Sequence, residues 1–389
     1  MIITTTRTAL RRFFGSVRLI SGTAAVQKVS PSKKNEKTSV QVAVLGCSSP
    51  LGRFVTLMLK QNPLLSNLHL FGENACFLAF DLNFMDTRCK AVAYEYDDKC
   101  IGKAIRSADI ILMLGECPKH PSLSISDLVM QEGDRVMSYV KACTKHAPRS
   151  VVVVAIPPVS AYTALVRAAF KKTPWYHPGR VIGSAGFAEV KANCILAQHT
   201  QIDHSLINVP IVGGPDIETA VPLFSKASPA GLPISDCCKL LSAFRGVREA
   251  DFPKQMVKEN YFEMSVLGEA TGLNRLITRL AFGLCGDNNS CSCAFVRTNI
   301  LPTCQHLVTT VQFGPTGVIH NFGIPELNKL ELSLLDRAMQ DIKVREQMAR
   351  EFSEYVDMEG YKSDPAFAIK HQLIEDEKQK KIVRPLGHL

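Results

Sequence analysis

Apolar residues along this chain fall into short unbroken runs and into helical stripes. Gln41–Leu45 (QVAVL), Leu68–Phe71, Ile110–Leu114 (IILML) and Ser150–Ile156 (SVVVVAI) lack polar alternation. Such runs read as strands of a parallel sheet covered on both faces. The first run meets Gly46-Cys47-Ser48-Ser49-Pro50-Leu51-Gly52, and a helical pattern follows over Phe54–Lys60. Strand, glycine turn, helix and strand make a βαβ unit. Ser126–Lys145 carries Leu128, Val129, Val136, Met137 and Val140 on one face, which predicts a further helix, and Val181–Gly183 opens another strand. The fold class expected is α/β, with a doubly wound parallel sheet first.

The second half is less regular. Leu273, Leu276 and Ile277 share a face of a helix predicted over Glu269–Leu280. Cys293–Arg297 and Thr309–Phe313 read as strands, with a turn at Gly314-Pro315-Thr316-Gly317 before Val318–Ile319. Leu332, Leu335, Met339 and Ile342 mark a long helix over about residues 327–355. From Gly360 the chain turns polar, with six Lys/Arg and four Asp/Glu to its end, and no internal repeat is evident.

Composition narrows the class. Hydrophobic residues are 46% and charged residues 21% of the 389, enough apolar material for a sizeable core. No run reaches the roughly 18 apolar residues that span a bilayer, so no membrane span is expected. The net charge is +9, yet residues 1–35 hold Arg7, Arg11, Arg12, Arg18, Lys28, Lys33 and Lys34 with no acid, and removing those seven leaves +2. A nearly neutral body argues against a nucleic-acid partner. The first 22 residues combine Arg, Thr and Ser with a face of Leu10, Phe13, Phe14 and Val17, the pattern of a mitochondrial presequence. The matrix is therefore the expected location. Thirteen scattered cysteines fit a reducing compartment, and neither Cys291-Ser292-Cys293 nor Cys237-Cys238 has a partner pair at zinc-site spacing, so no metal is expected.

A glycine turn that opens a helix can set backbone N–H groups against a pyrophosphate. Gly46 and Gly52 hold the outer positions here, with Ser49 between them. Ser49 adds a side chain where close approach is needed, and Pro50 removes a donor. The second strand ends Phe71-Gly72-Glu73, so the acid that takes ribose hydroxyls is missing at Gly72 and displaced to Glu73. Gly46, Ser49, Gly52 and Glu73 are thus read as a weak or vestigial cofactor site. The expectation is that no cofactor is required and that NAD binding is impaired.

Four segments carry a family resemblance: QVAVLGCSSPLGRFVTLMLKQNPLLSNLHLFG, VRAAFKKTPWYHPGRVIG, INVPIVGG and VQFGPTGVIHNFGIPELNKLE. Together they resemble the mitochondrial-type NAD-dependent malate dehydrogenases of the lactate/malate dehydrogenase family, from about Gln41 to Tyr355. The resemblance implies a Rossmann domain followed by a family-type α/β substrate domain, dimerised through helices. It divides the chain into presequence and linker (1–39), Rossmann domain (40–185), C-terminal domain (186–357) and polar extension (358–389).

The resemblance also implies a set of catalytic positions, each of which is altered. The proton-exchanging His is expected after Gly213-Gly214, where Pro215 stands; its partner Asp falls on Ala188, and a clamp Arg falls on Lys191. Two loop arginines fall on Lys119 and Ile125, and the Asn-Pro-Val-Asn loop reads Pro157-Pro158-Val159-Ser160. Asp216 and Glu189 add negative charge near the place of a dicarboxylate. His120, Cys117, His177 and His204 form no replacement set. Losing acid–base catalysis costs about 10²–10⁴-fold, so no catalytic residue is assigned. The reading is a degenerate member, a homodimer or a subunit with other mitochondrial proteins, in a structural, scaffold or regulatory role. The alternative is an active NAD-dependent oxidoreductase on malate, oxaloacetate or another 2-hydroxy acid.

Overall fold

The computed structural model describes residues 37–116, 125–229, 232–245, 266–301 and 303–357. The basic leader, Cys117, Lys119, His120 and the polar extension lie outside the described residues, as does the side chain of Ile125.

The described strands form one sheet. Its first half contains β1 (Val40–Leu45), β2 (Leu65–Phe71), β3 (Lys90–Tyr94), β4 (Ile110–Leu114), β5 (Val151–Ala155) and β6 (Val181–Ser184). These six are all parallel, in the order β3-β2-β1-β4-β5-β6. The strand order reverses at β1, with β2 and β3 added on one side and β4 to β6 on the other, which opens a crevice at the carboxyl end of β1. Five residues of β4 and five of β5 are buried without exception, the cause of their unalternating apolar sequence.

Helices cover both faces. On one, α1 (Pro50–Lys60) and α2 (Ala75–Asn83) set Val55, Leu59, Ala79 and Leu82 against the sheet. On the other, α3 (Asp98–Ile105), α4 (Ile125–His146) and α5 (Val159–Lys171) bury Ile101, Val136, Val140 and Leu165.

The sheet continues antiparallel. After α6 (Gly186–Thr200) come β7 (Ile211–Gly213), β8 (Ala220–Pro222) and α7 (Ile234–Arg245). Helix α8 (Leu267–Leu284) precedes β9 (Cys291–Arg297), β10 (His306–Gly314) and β11 (Gly317–Asn321), and α9 (Lys329–Asp357) closes the described chain. Strand β9 joins β6 and β10, and β10 carries β7, then β8. A Rossmann-type sheet followed by an α/β C-terminal part is the architecture predicted. Among the described residues no helix is long and apolar enough to cross a membrane.

Candidate functional site

The crevice at the end of β1 is built on a strict backbone. Gly46 has φ +83°, and a Cβ there would lie 2.5 Å from the Leu114 carbonyl oxygen. A Cβ at Gly52 would lie 2.6 Å from the carbonyl oxygens of both Gly46 and Cys47. Only glycine fits either place. Ser49 is the N-cap of α1: its Oγ accepts from the Gly52 N–H at 3.1 Å and donates to the Gly46 carbonyl, also at 3.1 Å. That inward hydroxyl does not obstruct the turn. Pro50 occupies the first helical turn, where its missing N–H costs nothing. The N–H groups of Ser48, Ser49 and Leu51 have no protein partner among the described residues. Free amides at a capped helix N-terminus fit a pyrophosphate.

One flank of the turn lacks its acid. A Cβ at Gly72 would sit 2.8 Å from Ser48 Oγ and 3.1 Å from Cys47 Sγ. The Ser48 hydroxyl donates to the Glu73 carbonyl oxygen and fills that space, while Arg53 Nε donates to the Ser48 carbonyl at 3.2 Å. The other flank carries an acid that sequence reading passed over. Glu116 follows β4, and its Cγ lies 3.3 Å from the place of a Gly46 Cβ. Its Oε2 accepts from the Tyr96 hydroxyl at 2.9 Å and pairs with Arg135 Nη1 at 3.1 Å; Oε1 takes a longer bond, 3.4 Å, from the Tyr139 hydroxyl. Burial, and next the bond to Glu116, push the Tyr96 phenol up to about 12. The signal available in the sequence was an acid two residues past a fully apolar strand.

The second part of the site lies at the ends of β5 and β7. Pro157 and buried Pro215 face no titratable duty of their own. Asp216 does not project negative charge into free space. Its carboxylate accepts from the Val159 N–H at 3.0 Å and the Ser160 hydroxyl at 2.7 Å, and pairs with Arg345 Nη1 at 2.7 Å. It therefore caps α5 and anchors α9. Glu189 is likewise spent, on Arg279 at 3.0 Å and Ser292 at 3.3 Å.

Helix α6 brings Ala188 and Lys191 to one face, one turn apart. Ala188 is fully buried. Lys191 is half-buried, with Nζ 5.4 Å from the centre of the Phe244 ring. Burial holds its ammonium below the usual lysine value, and Glu218 opposes that shift. The structure thus sets Pro157, Ala188, Lys191 and Pro215 around the ends of β5, β6 and β7, while Gly46, Ser49 and Gly52 form the turn at β1. Glu73 is exposed beside it. Asp203 and His204 belong to a separate surface turn, where Asp203 caps Ser205 at 2.7 Å. No group of metal-ligating side chains occurs among the described residues.

Residues 40–183 match the family described as lactate/malate dehydrogenase, NAD binding domain. The mitochondrial malate dehydrogenase of Felis catus is 26% identical over 336 residues, covering 85% of this chain and 96% of that protein. Residues 40–183 are therefore a Rossmann-type NAD-binding domain of the kind found in lactate and malate dehydrogenases, and the whole chain is similar to those enzymes. The Bos taurus mitochondrial enzyme gives the same identity and coverage over 334 residues. Among solved structures, the lactate dehydrogenase of Eimeria maxima with NADH and oxamate superposes with TM-score 0.66 at 14% identity, over 85% of this chain and 99% of that one. Plasmodium falciparum malate dehydrogenase gives 0.64 at 18%, over 81% and 99%.

The domain match corrects the cofactor expectation. The match to an NAD-binding domain argues for NAD binding, not against it. The physical reason is local. Ser49 and Pro50, read as obstructions, are the N-cap and first residue of α1 and leave the amide cradle open. Gly72 changes one contact on the ribose side and leaves the pyrophosphate side intact.

Proposed function

We propose that this chain is a member of the lactate/malate dehydrogenase family, binds NAD(H) and works as a mitochondrial oxidoreductase on a small 2-oxo or 2-hydroxy acid. The open amide cradle of the Gly46–Gly52 turn is the observation that carries it. Similarity over 96% of the length of the Felis catus mitochondrial malate dehydrogenase supports the same reading, and the basic leader supports a matrix location.

Bound NADH supplies a hydride. Lys191 supplies the positive charge that draws an anionic substrate to α6, as a point charge rather than a planar fork. Pro215 and Ala188 carry no exchangeable proton, so the proton for the carbonyl oxygen comes from solvent. Asp216 and Glu189, neutralised by Arg345 and Arg279, do not repel the carboxylate. Turnover of oxaloacetate is expected to run about 10²–10⁴-fold below an enzyme with a positioned general acid.

Calorimetric titration with NADH, followed by NADH consumption against a panel of 2-oxo acids, tests this reading. Saturable binding with slow turnover of at least one acid supports it. Absence of heat at millimolar NADH overturns it. The loss of both members of the proton-exchange pair favours a second reading, a non-catalytic scaffold or regulator in a larger assembly. Binding without turnover of any acid, together with a stable heavy complex isolated gently from mitochondria, selects that second reading.

A further inference from the structure

We propose that Glu116 receives the adenosine ribose hydroxyls of the bound dinucleotide, in place of the acid absent at Gly72, and makes the site selective for the nucleotide without a 2′-phosphate. The inference rests on the NAD(H)-binding reading above.

A Rossmann site selects NAD by an acid beside the glycine turn that accepts from the ribose 2′-hydroxyl. Residue 72 cannot supply it, and Ser48 has closed the space: any Cβ at 72 meets the Ser48 hydroxyl at 2.8 Å. Glu116 approaches the same turn from the opposite side, because β4 is the other neighbour of β1. Its Cγ is 3.3 Å from the place of a Gly46 Cβ, while residue 72 touches Cys47 and Ser48, the next two residues. The two flanks thus serve one short stretch of backbone.

Glu116 is also held in a receiving orientation. Tyr96 and Arg135 engage Oε2, at 2.9 and 3.1 Å, and its own backbone N–H donates to Glu132 Oε1 at 3.0 Å. Among the described residues Oε1 takes the long bond from Tyr139 alone, and a carboxylate oxygen with one long bond keeps capacity for a hydroxyl donor. Arg135 is shared between Glu116 and Glu132, which leaves it committed to carboxylates. A 2′-phosphate placed there brings like charges together. Arg53, exposed and tethered to the Ser48 carbonyl, is the rival element, since a guanidinium at this rim could receive a 2′-phosphate.

The full chain is titrated with NADH and NADPH by calorimetry, as wild type, Glu116→Gln, Arg53→Ala, and Glu116→Gln carrying Ser48→Gly and Gly72→Asp. Wild type is expected to bind NADH at least tenfold tighter than NADPH. Loss of a hydrogen bond to a charged group is worth about ten- to a hundredfold, so Glu116→Gln weakens NADH by that factor and narrows the preference. The variant with Asp at 72 and Gly at 48 regains most of it. Tighter binding of NADPH by wild type, abolished by Arg53→Ala, overturns the proposal. So does a Glu116→Gln protein that unfolds at a lower temperature while its NADH:NADPH ratio stays unchanged. Absence of binding by either nucleotide in wild type sinks the dinucleotide reading itself, and a wild type that binds NADH without preferring it to NADPH sinks only this one.

Discussion

Lys191 is a cation of adjustable charge where the family resemblance implies a guanidinium of fixed charge. An arginine stays protonated through any accessible pH, whereas burial lowers the lysine. Carboxylate binding at this site is therefore expected to fall as pH rises, beginning below the ordinary lysine range near 10.5. Lys191→Arg removes the fall, and Lys191→Met abolishes binding at every pH. Titration of the NADH complex with oxaloacetate from pH 7 to pH 10 measures all three. A pH-independent affinity in wild type excludes Lys191 as the anchor. Ala188, Lys191 and Pro215 were singled out by the family resemblance rather than by any local pattern of their own. The fate of Asp216 was not legible. Its neutralising partner Arg345 is 129 positions away, on a helix whose register against α5 no local pattern states. Glu116 stayed hidden for the same reason, since Tyr96 and Arg135 reach it from separate elements.

Elements were legible where one face decides their sequence. The strands β1, β4 and β5 showed as apolar runs because both faces are covered. Helix α2 did not show, because Phe77 and Phe80 point outward and erase its amphipathic contrast. Helix α6 lacks contrast from the opposite cause: Glu189 and Asn193 are buried, paired with Arg279 and the Val209 N–H. What holds α6 against α8 is a glycine contact. A Cβ at Gly272 would lie 2.3 Å from the Gly186 carbonyl carbon, and that neighbour is backbone, which cannot rotate away. Gly272→Ala is expected to lower stability by about 1–3 kcal/mol, the usual cost of overpacking. Urea unfolding checks it, and a shift below 0.5 kcal/mol by the same ~1–3 kcal/mol scale refutes the tight crossing. Strand β10 is fastened differently. Buried His306 lies 2.6 Å from Glu346 on α9 and 3.4 Å from Arg167 on α5. Burial holds its pKa below 6.5, the bond to Glu346 opposing. Below 6.5 the unfolded chain therefore takes up a proton that the folded one refuses, and stability falls as pH drops through that window. Unfolding midpoints at pH 7.5 and 5.5 should differ less in His306→Gln than in wild type.

At the scale of the whole molecule, one face is left apolar. Phe77, Phe80 and Phe84 are 69%, 65% and 75% exposed, and the last two pack edge-on with ring centres 4.9 Å apart. Phe54 and Leu57 on α1 are also exposed, and both helices cover the same side of the sheet. Polar residues would serve as well there if water were the neighbour, and contiguous exposed aromatics mark a contact surface. A two-fold contact suits a patch that can meet its own copy, since a self-complementary surface closes with two subunits and exposes nothing further. We therefore expect the protein to run at twice its chain mass in light scattering after size separation, and the Phe77→Ser/Phe80→Ser variant to run at the single-chain mass. NADH binding per chain should survive that change, because the crevice at Gly46 lies at the sheet's carboxyl edge and neither exchanged residue belongs to it. A wild-type protein that runs as a single chain would instead leave the phenylalanines for a different protein, and would move the balance toward the scaffold reading.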